Sequence, residues 1–307
     1  MTAAGTVPPS RARGVAALVL AGVLFGSTFL VVQGAIEHVA VVPFLAVRFL
    51  IAGAVLWPLA RRRPATAHEL RHGMLAGSSL LAGYLLQTAG LRTVTAATSA
   101  FITYLLVVIV PILTAVRVRR APARSLAVAV VLAVAGLWAL SGGPSAFGRG
   151  EVLTLLCAVC FAVHIVIVGE VSGRHDPVRL TMWQVLTVGV ACAVPTALTG
   201  GFADIGPGVL GAAAFTGVGA TAVAFWCMTW AQQVVPGPQA ALILLLEPVS
   251  AGILGELVGD HLGWRGLLGA VLILAAVVIA EFGGRTHQPE AIGAELVILP
   301  EAPAGGG

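Results

Sequence analysis

Lysine is missing from this chain: all 17 of its Lys and Arg residues are arginines, spread through 307 residues. Charge of either sign is scarce as well, at 10% of the sequence, where a soluble domain carries about a quarter. That shortage excludes a water-soluble globular protein. The net charge of +4 would suit nucleic acid if the arginines shared one amphipathic element, but they fall in short clusters between apolar runs, so no nucleic-acid partner is expected. Cysteine is limited to Cys157, Cys160, Cys192 and Cys227, each inside an apolar run where a thiol acts as a small hydrophobe. No disulfide framework follows, and the C-x-x-C of Cys157 and Cys160 reads as buried filler in a lipid-embedded helix. Catalytic signatures are lacking too: there is no H-E-x-x-H, no metal-ligand spacing, no G-x-S-x-G and no Walker A loop. The sequence points to neither an enzyme, a metal nor a cofactor.

What it has in abundance is apolar residues, 58% of the chain, for a mean hydropathy of +1.00. Runs of about 17–22 residues match the length that a ~30 Å hydrocarbon core demands at 1.5 Å rise per residue. They predict spans at 15–33, 42–60, 73–91, 96–116, 125–141, 151–170, 179–199, 208–231, 238–257 and 265–283. The fold expected is an all-α polytopic membrane protein with ten transmembrane helices. Arg11 and Arg13 ahead of Val15–Val32 resemble a signal peptide, but that run is long enough to span and others follow, so it reads as an uncleaved first helix. Residues 1–13 and 285–307 read as short disordered tails.

Positive loops stay in the cytoplasm. With the N-terminus inside, the inner segments hold Arg11, Arg13, Arg61, Arg62, Arg63, Arg71, Arg117, Arg119, Arg120, Arg124, Arg174, Arg179 and Arg285, against Arg92, Arg149 and Arg265 outside. Both termini are expected in the cytoplasm, with an even number of crossings.

The chain also repeats itself. "GVAALVLAGVLFGSTFLVVQGAI" from Gly14 lies on "GEVLTLLCAVCFAVHIVIVGEV" from Gly150 at an offset of 136, pairing Phe25 with Phe161, Val31 with Ile167 and Arg48 with Gln184. Further on, the segment around Pro111 matches the segment around Pro248. Five helices are duplicated, and because five is odd the second copy crosses in the opposite sense, the inverted-repeat plan of secondary transporters. The units expected are 14–145, 146–284 and a cytoplasmic tail, 285–307.

These segments resemble the EamA-type transporters of the drug/metabolite transporter superfamily. The resemblance is closest over "AALILLLEPV" in helix 9, and continues in "FGSTFL", "AVRFLIAG", "LLQTAGLRTVTAATSAF" and "AVCFAVHIVIV". It covers roughly 14–283 and implies ten helices, two inverted repeats and a central substrate cavity. The chain departs from the family pattern at "VGDHLGW", where Asp260 stands in for a Glu. It departs again at "AVRVRRAPARS", shorter than its counterpart and without an acid, and at His164, where an aromatic is usual.

Polar residues inside the spans are the candidate site. Glu247 lies about nine residues into helix 9, ~14 Å at 1.5 Å per residue and near the midplane. At that depth it must be protonated, paired, or facing a water-filled cavity, as a gating group or as a hydrogen-bonded brace. Pro248 frees the carbonyl of Leu244 and Pro111 that of Val107, which predicts matched kinks. Arg48 is the one basic residue within a span, either snorkelled or structurally paired, or part of the substrate or gate chemistry. Its repeat mate is Gln184. Tyr84 and Gln87 share a face of helix 3, and Trp226 and Trp230 a face of helix 8; either face could line a cavity or serve packing. His164 is a proton carrier or a satisfied packing residue. Trp57, Trp138 and Trp264, near span ends, read as interfacial anchors. Gly22/Gly26, Gly73/Gly77 and Gly255/Gly259 permit close helix approach and leave a homodimer open.

The function expected is a plasma-membrane carrier that exports a small organic solute, a metabolite, amino-acid-like compound or drug, by alternating access. The alternative is a channel or lipid scramblase of the same architecture.

Overall fold

A computed structural model describes residues 10–61, 66–117, 124–140, 148–259 and 261–285. Arg62, Arg63, Arg119, Arg120, Asp260 and the expected tail from 286 onward lie outside the described residues. Thirteen α-helices follow one another among the described residues, with no strand between them. They are α1 (Arg11–Ile36), α2 (Val41–Ala60), α3 (Ala67–Gly90), α4 (Ala96–Thr103), α5 (Leu106–Arg117), α6 (Arg124–Leu140) and α7 (Arg149–Val171). Then come α8 (Pro177–Leu198), α9 (Pro207–Phe215), α10 (Ala224–Ala231), α11 (Gly237–Ile243), α12 (Leu246–Val258) and α13 (Gly263–Arg285). A π-helical stretch, Thr216–Val223, joins α9 to α10.

Local chemistry sets the ends. Ser10, Thr66, Thr95 and Asp176 each accept a backbone N–H of the first turn they precede, relieving donors that a helix start leaves unpaired. Pro177 adds its fixed φ at the start of α8. Gly259 closes α12 with φ of 91°, a left-handed cap that favours glycine.

Seven helical stretches among the described residues are long and apolar enough to cross a membrane: Arg11–Ile36, Val41–Ala60, Ala96–Arg117, Arg149–Arg174, Pro177–Leu198, Pro207–Ala231 and Gly237–Val258. Ala127–Leu140 and Gly263–Ile279 are apolar but shorter. The third expected span lies within α3, which begins earlier than its apolar run and takes His68, Glu69, Arg71 and His72 into its first turns. Three expected spans are not continuous α-helix. The fourth is interrupted at Tyr104–Leu105, the ninth at Leu244–Leu245, and the eighth carries the π-helical stretch.

Packing repeats between the halves. The repeat mates α2 and α8 lie against each other, as do the mates α6 and α13. The contact of α3 with α7 returns as α10 with α1, and that of α5 with α7 as α12 with α1. Glycines permit these approaches: a Cβ on Gly77 would sit 2.8 Å from the Gln184 carbonyl, and one on Gly26 would overlap Ser250 and the Glu247 carbonyl. Gly73 likewise meets Trp183 and Gly22 meets Leu246, so these two small-residue pairs serve contacts within one chain. The outer surface is apolar, with Val131, Val194, Leu257, Leu267 and the end-of-helix Trp57, Trp138 and Trp264 all at least half exposed, a surface suited to lipid.

Candidate functional site

A cavity of about 600 Å³ of non-atom space, counting its mouth, lies between the two halves. One wall is the face of α1 that carries Phe25, Thr28 and Phe29, and another is the face of α7 that carries Phe161, His164 and Ile165. Those faces arise from i, i+3, i+4 spacing, and the three positions are repeat mates at the same offset of 136. The chemistry is not symmetric, because a threonine faces a histidine. Thr28 donates its hydroxyl back to the Phe25 carbonyl at 2.8 Å. Phe25, Tyr84, Phe161, Phe225 and His164 meet edge-on around the space, with ring centroids 5.0–6.2 Å apart. From mid-depth the lining runs to Val32 and Leu91, toward the end opposite the arginine clusters.

Arg48 is 2% exposed. Its Nε donates to Thr221 Oγ1 at 2.8 Å and its Nη2 to the Tyr84 hydroxyl at 3.3 Å, and its guanidinium carbon lies 4.8 Å from the Tyr84 ring centroid. It does not snorkel; the helix around Thr221 brings a partner to it. The π turn widens the backbone so that Thr221 Oγ1 donates to the Thr216 carbonyl five residues back at 3.0 Å while accepting from Arg48. Gly217 makes room, since a Cβ there would lie 2.6 Å from the Arg48 carbonyl.

The break in helix 9 explains how an acid sits at mid-depth. The Leu244 carbonyl, which Pro248 cannot reach with a proton, accepts the Glu247 N–H at 2.8 Å instead. A new helix begins, and Glu247 stands in its first turn, where the positive end of the helix dipole favours an anion by ~0.3–1 kcal/mol. Its carboxylate borders the cavity and makes no hydrogen bond or ion pair with the described residues. In helix 4 the interruption falls at Tyr104–Leu105, six residues ahead of Pro111.

His164 Nε2 meets Gln184 Oε1 at 2.7 Å, and Gln184 Nε2 donates to the Leu180 carbonyl at 3.1 Å. Gln184 is fully buried and reaches the cavity only through His164. Gln87 donates from Nε2 to Thr103 Oγ1 at 3.1 Å. The structure thus brings Arg48, Tyr84, Gln87, His164 and Glu247 to one cavity and sets Gln184 behind it. Trp226 does not line it; its ring stacks on Trp230 with centroids 5.8 Å apart.

Sequence reasoning missed Thr221 and Tyr104. The signal for Thr221 was the weak helix former "TGVGATAV" inside a span. Tyr104 is one of only two tyrosines and sits mid-span; fully buried, it donates its hydroxyl to the Ala241 carbonyl.

At the arginine-rich end α3 and α8 are tied. Arg179 Nε pairs with the buried Glu69 carboxylate at 2.8 Å, Glu69 also accepts the Asp176 N–H at 3.2 Å, and His72 Nδ1 meets His175 Nε2 at 2.7 Å. Partial burial holds the His175 pKa below the ordinary histidine value; His72, Arg174 and Arg179 push the same way and Glu69 opposes them.

Compared with known proteins, residues 12–142 and again 148–282 match the EamA-like transporter family. An uncharacterized transporter of Archaeoglobus fulgidus is 32% identical over 263 residues, 85% of this chain and 83% of the relative. A second uncharacterized transporter of that organism is 27% identical over 269 residues, 87% and 96% of the two chains. One solved crystal structure superposes with a TM-score of 0.66 at 19% identity, covering 90% of this chain and 99% of its own, a likeness of fold.

Proposed function

This chain belongs to the EamA-like transporter family, and from that premise we propose that it is a carrier that exports a small organic solute across the plasma membrane by alternating access. The reading takes ten crossings in two inverted five-helix units, 14–145 and 146–284, with both termini cytoplasmic and the second unit rocking against the first.

One observation carries it. The cavity is walled by repeat-mate faces of α1 and α7, and polar groups at membrane depth, Arg48, Tyr84, Gln87, His164 and Glu247, border it from both halves. Polar side chains in hydrocarbon are costly, and a solute pathway is the use that repays them.

The test compares metabolites inside and outside cells with and without the protein. A compound that builds up in the medium only when the protein is present supports export, and identical profiles speak against it. Reconstituted in liposomes, a carrier shows saturable flux stimulated by solute on the opposite side; flux that neither saturates nor responds favours the channel reading.

A further inference from the structure

We propose that Glu69 and Arg179 form the cytoplasmic latch of the carrier: by tying the start of α3 to the start of α8 they hold the arginine-rich end shut and make the outward-open state the resting one. The inference rests on the carrier reading and names what sets its resting state.

The cavity reaches past mid-depth on one side only. Val32 lines it, whereas its repeat mate at the offset of 136, Val168, is fully buried and does not. Both faces come from the same repeat, so what tells the two ends apart lies between the halves.

There the charges are unevenly placed. Both ion pairs that join the halves among the described residues, Glu69 with Arg179 and Arg117 with Glu170, lie at the arginine-rich end. Arg117 and Glu170 are exposed and add little. Glu69 is 1% exposed and spends both oxygens: Oε2 accepts from Arg179 Nε at 2.8 Å and Oε1 from the Asp176 N–H at 3.2 Å. A buried pair repays its desolvation only when further bonds complete it in this way. The carboxylate also stands at two helix starts, in the first turn of α3 and against the N-cap residue of α8, where both dipoles favour an anion. One turn along α3, His72 meets His175 across the same seam. The device exists once. At the offset of 136, Val39, Ala40 and Pro43 take the places of His175, Asp176 and Arg179, and α9, which packs against α2, has no acid in its first turn.

Rocking that opens the inner end draws the halves apart there and parts Glu69 from the Asp176 N–H and the Arg179 guanidinium together. Neutralising one partner leaves the other charge buried and unpaired in the closed state, and opening hydrates it, so either substitution favours the inward-open state. Glu69 and Arg179 touch no solute; they are positioning residues.

The test times the reaction of single thiols. Val32→Cys and Val168→Cys are made one at a time in full-length protein freed of its native thiols, and an impermeant methanethiosulfonate is added to right-side-out or inverted membrane vesicles. With the latch intact, Val32→Cys should react from outside at least tenfold faster than Val168→Cys reacts from the cytoplasmic side. Glu69→Gln should speed Val168→Cys about tenfold and leave Val32→Cys no faster. Loss of a mere brace would loosen both ends, so a gain at both sites, or at neither, overturns the proposal.

Arg179→Gln should tip the rates in the same sense, and it carries the test should Glu69→Gln fail to insert; rates unmoved by it overturn the proposal. So does a latch-intact protein that reacts at Val168→Cys and not at Val32→Cys. Fast reaction at both sites with the latch intact marks a continuous pore and fells the carrier reading as well, whereas one-sided reaction that neither latch variant moves fells the latch alone.

Discussion

The hydroxyl of Tyr104 donates to the carbonyl of Ala241, two positions 137 residues apart and equivalent in the two halves at the offset that pairs Pro111 with Pro248. Tyr104 stands in the interruption between α4 and α5, and Ala241 lies in α11, three residues ahead of the interruption at Leu244–Leu245. One bond thus joins the two broken helices at the centre of the molecule. Tyr104→Phe keeps the ring and leaves a buried carbonyl without a donor, a loss of about 1–3 kcal/mol. The thermal midpoint in detergent should fall while insertion is kept, and flux should change. A midpoint and flux equal to wild type would show the bond to be idle.

Arg48→Lys retains the charge but cannot donate to Thr221 and Tyr84 in the same forked geometry, nor lie flat on the Tyr84 ring. The expected cost is on the order of 1–3 kcal/mol, read as a lower denaturation midpoint, together with reduced transport. A lysine variant indistinguishable from wild type would mean that charge alone matters there.

Pro248→Ala puts back an amide proton that competes with the Glu247 N–H for the Leu244 carbonyl. Helix 9 should become more continuous, insertion should persist and transport should fall. Normal flux at normal expression would make the proline incidental.

Acid should loosen the arginine-rich end. His175 binds its proton less readily folded than its ordinary pKa of 6.5 would have it, so the unfolded chain takes up more protons as pH falls through about 6.5. Stability tied to this site is therefore present above that pH and lost below it. Melting curves across this range should show the decline, and His175→Gln should flatten it. A variant with an unaltered pH slope would place the acid sensitivity elsewhere.

Thirteen arginines on one side against three on the other predict sidedness. With the native thiols removed, a cysteine placed in 66–70 should react only with reagents that reach the cytoplasm, and one in 201–206 with an impermeant reagent added outside. The reverse labelling would overturn the orientation.

The sequence by itself determined the solvent, the repeat and which side chains are out of place. Hydropathy over a span, loop charge and an acid or base in an apolar run are local quantities, and bilayer thickness turns them into structure without knowledge of neighbours. Arg48, Tyr84, Gln87, His164 and Glu247 were legible in this way because each costs free energy wherever the helix goes. Partners were not legible. Arg48 finds Thr221 at 173 positions' distance, His164 finds Gln184 across two helices, and Trp226 turns from the cavity to stack on Trp230. Nor could Pro111 place the break in helix 4: the chain yields at Tyr104–Leu105, where Tyr104 reaches across to Ala241, and not beside Pro111. Only tertiary structure decides such matters, because in hydrocarbon each buried donor must find an acceptor, and the one it finds depends on which helices the packing has brought together.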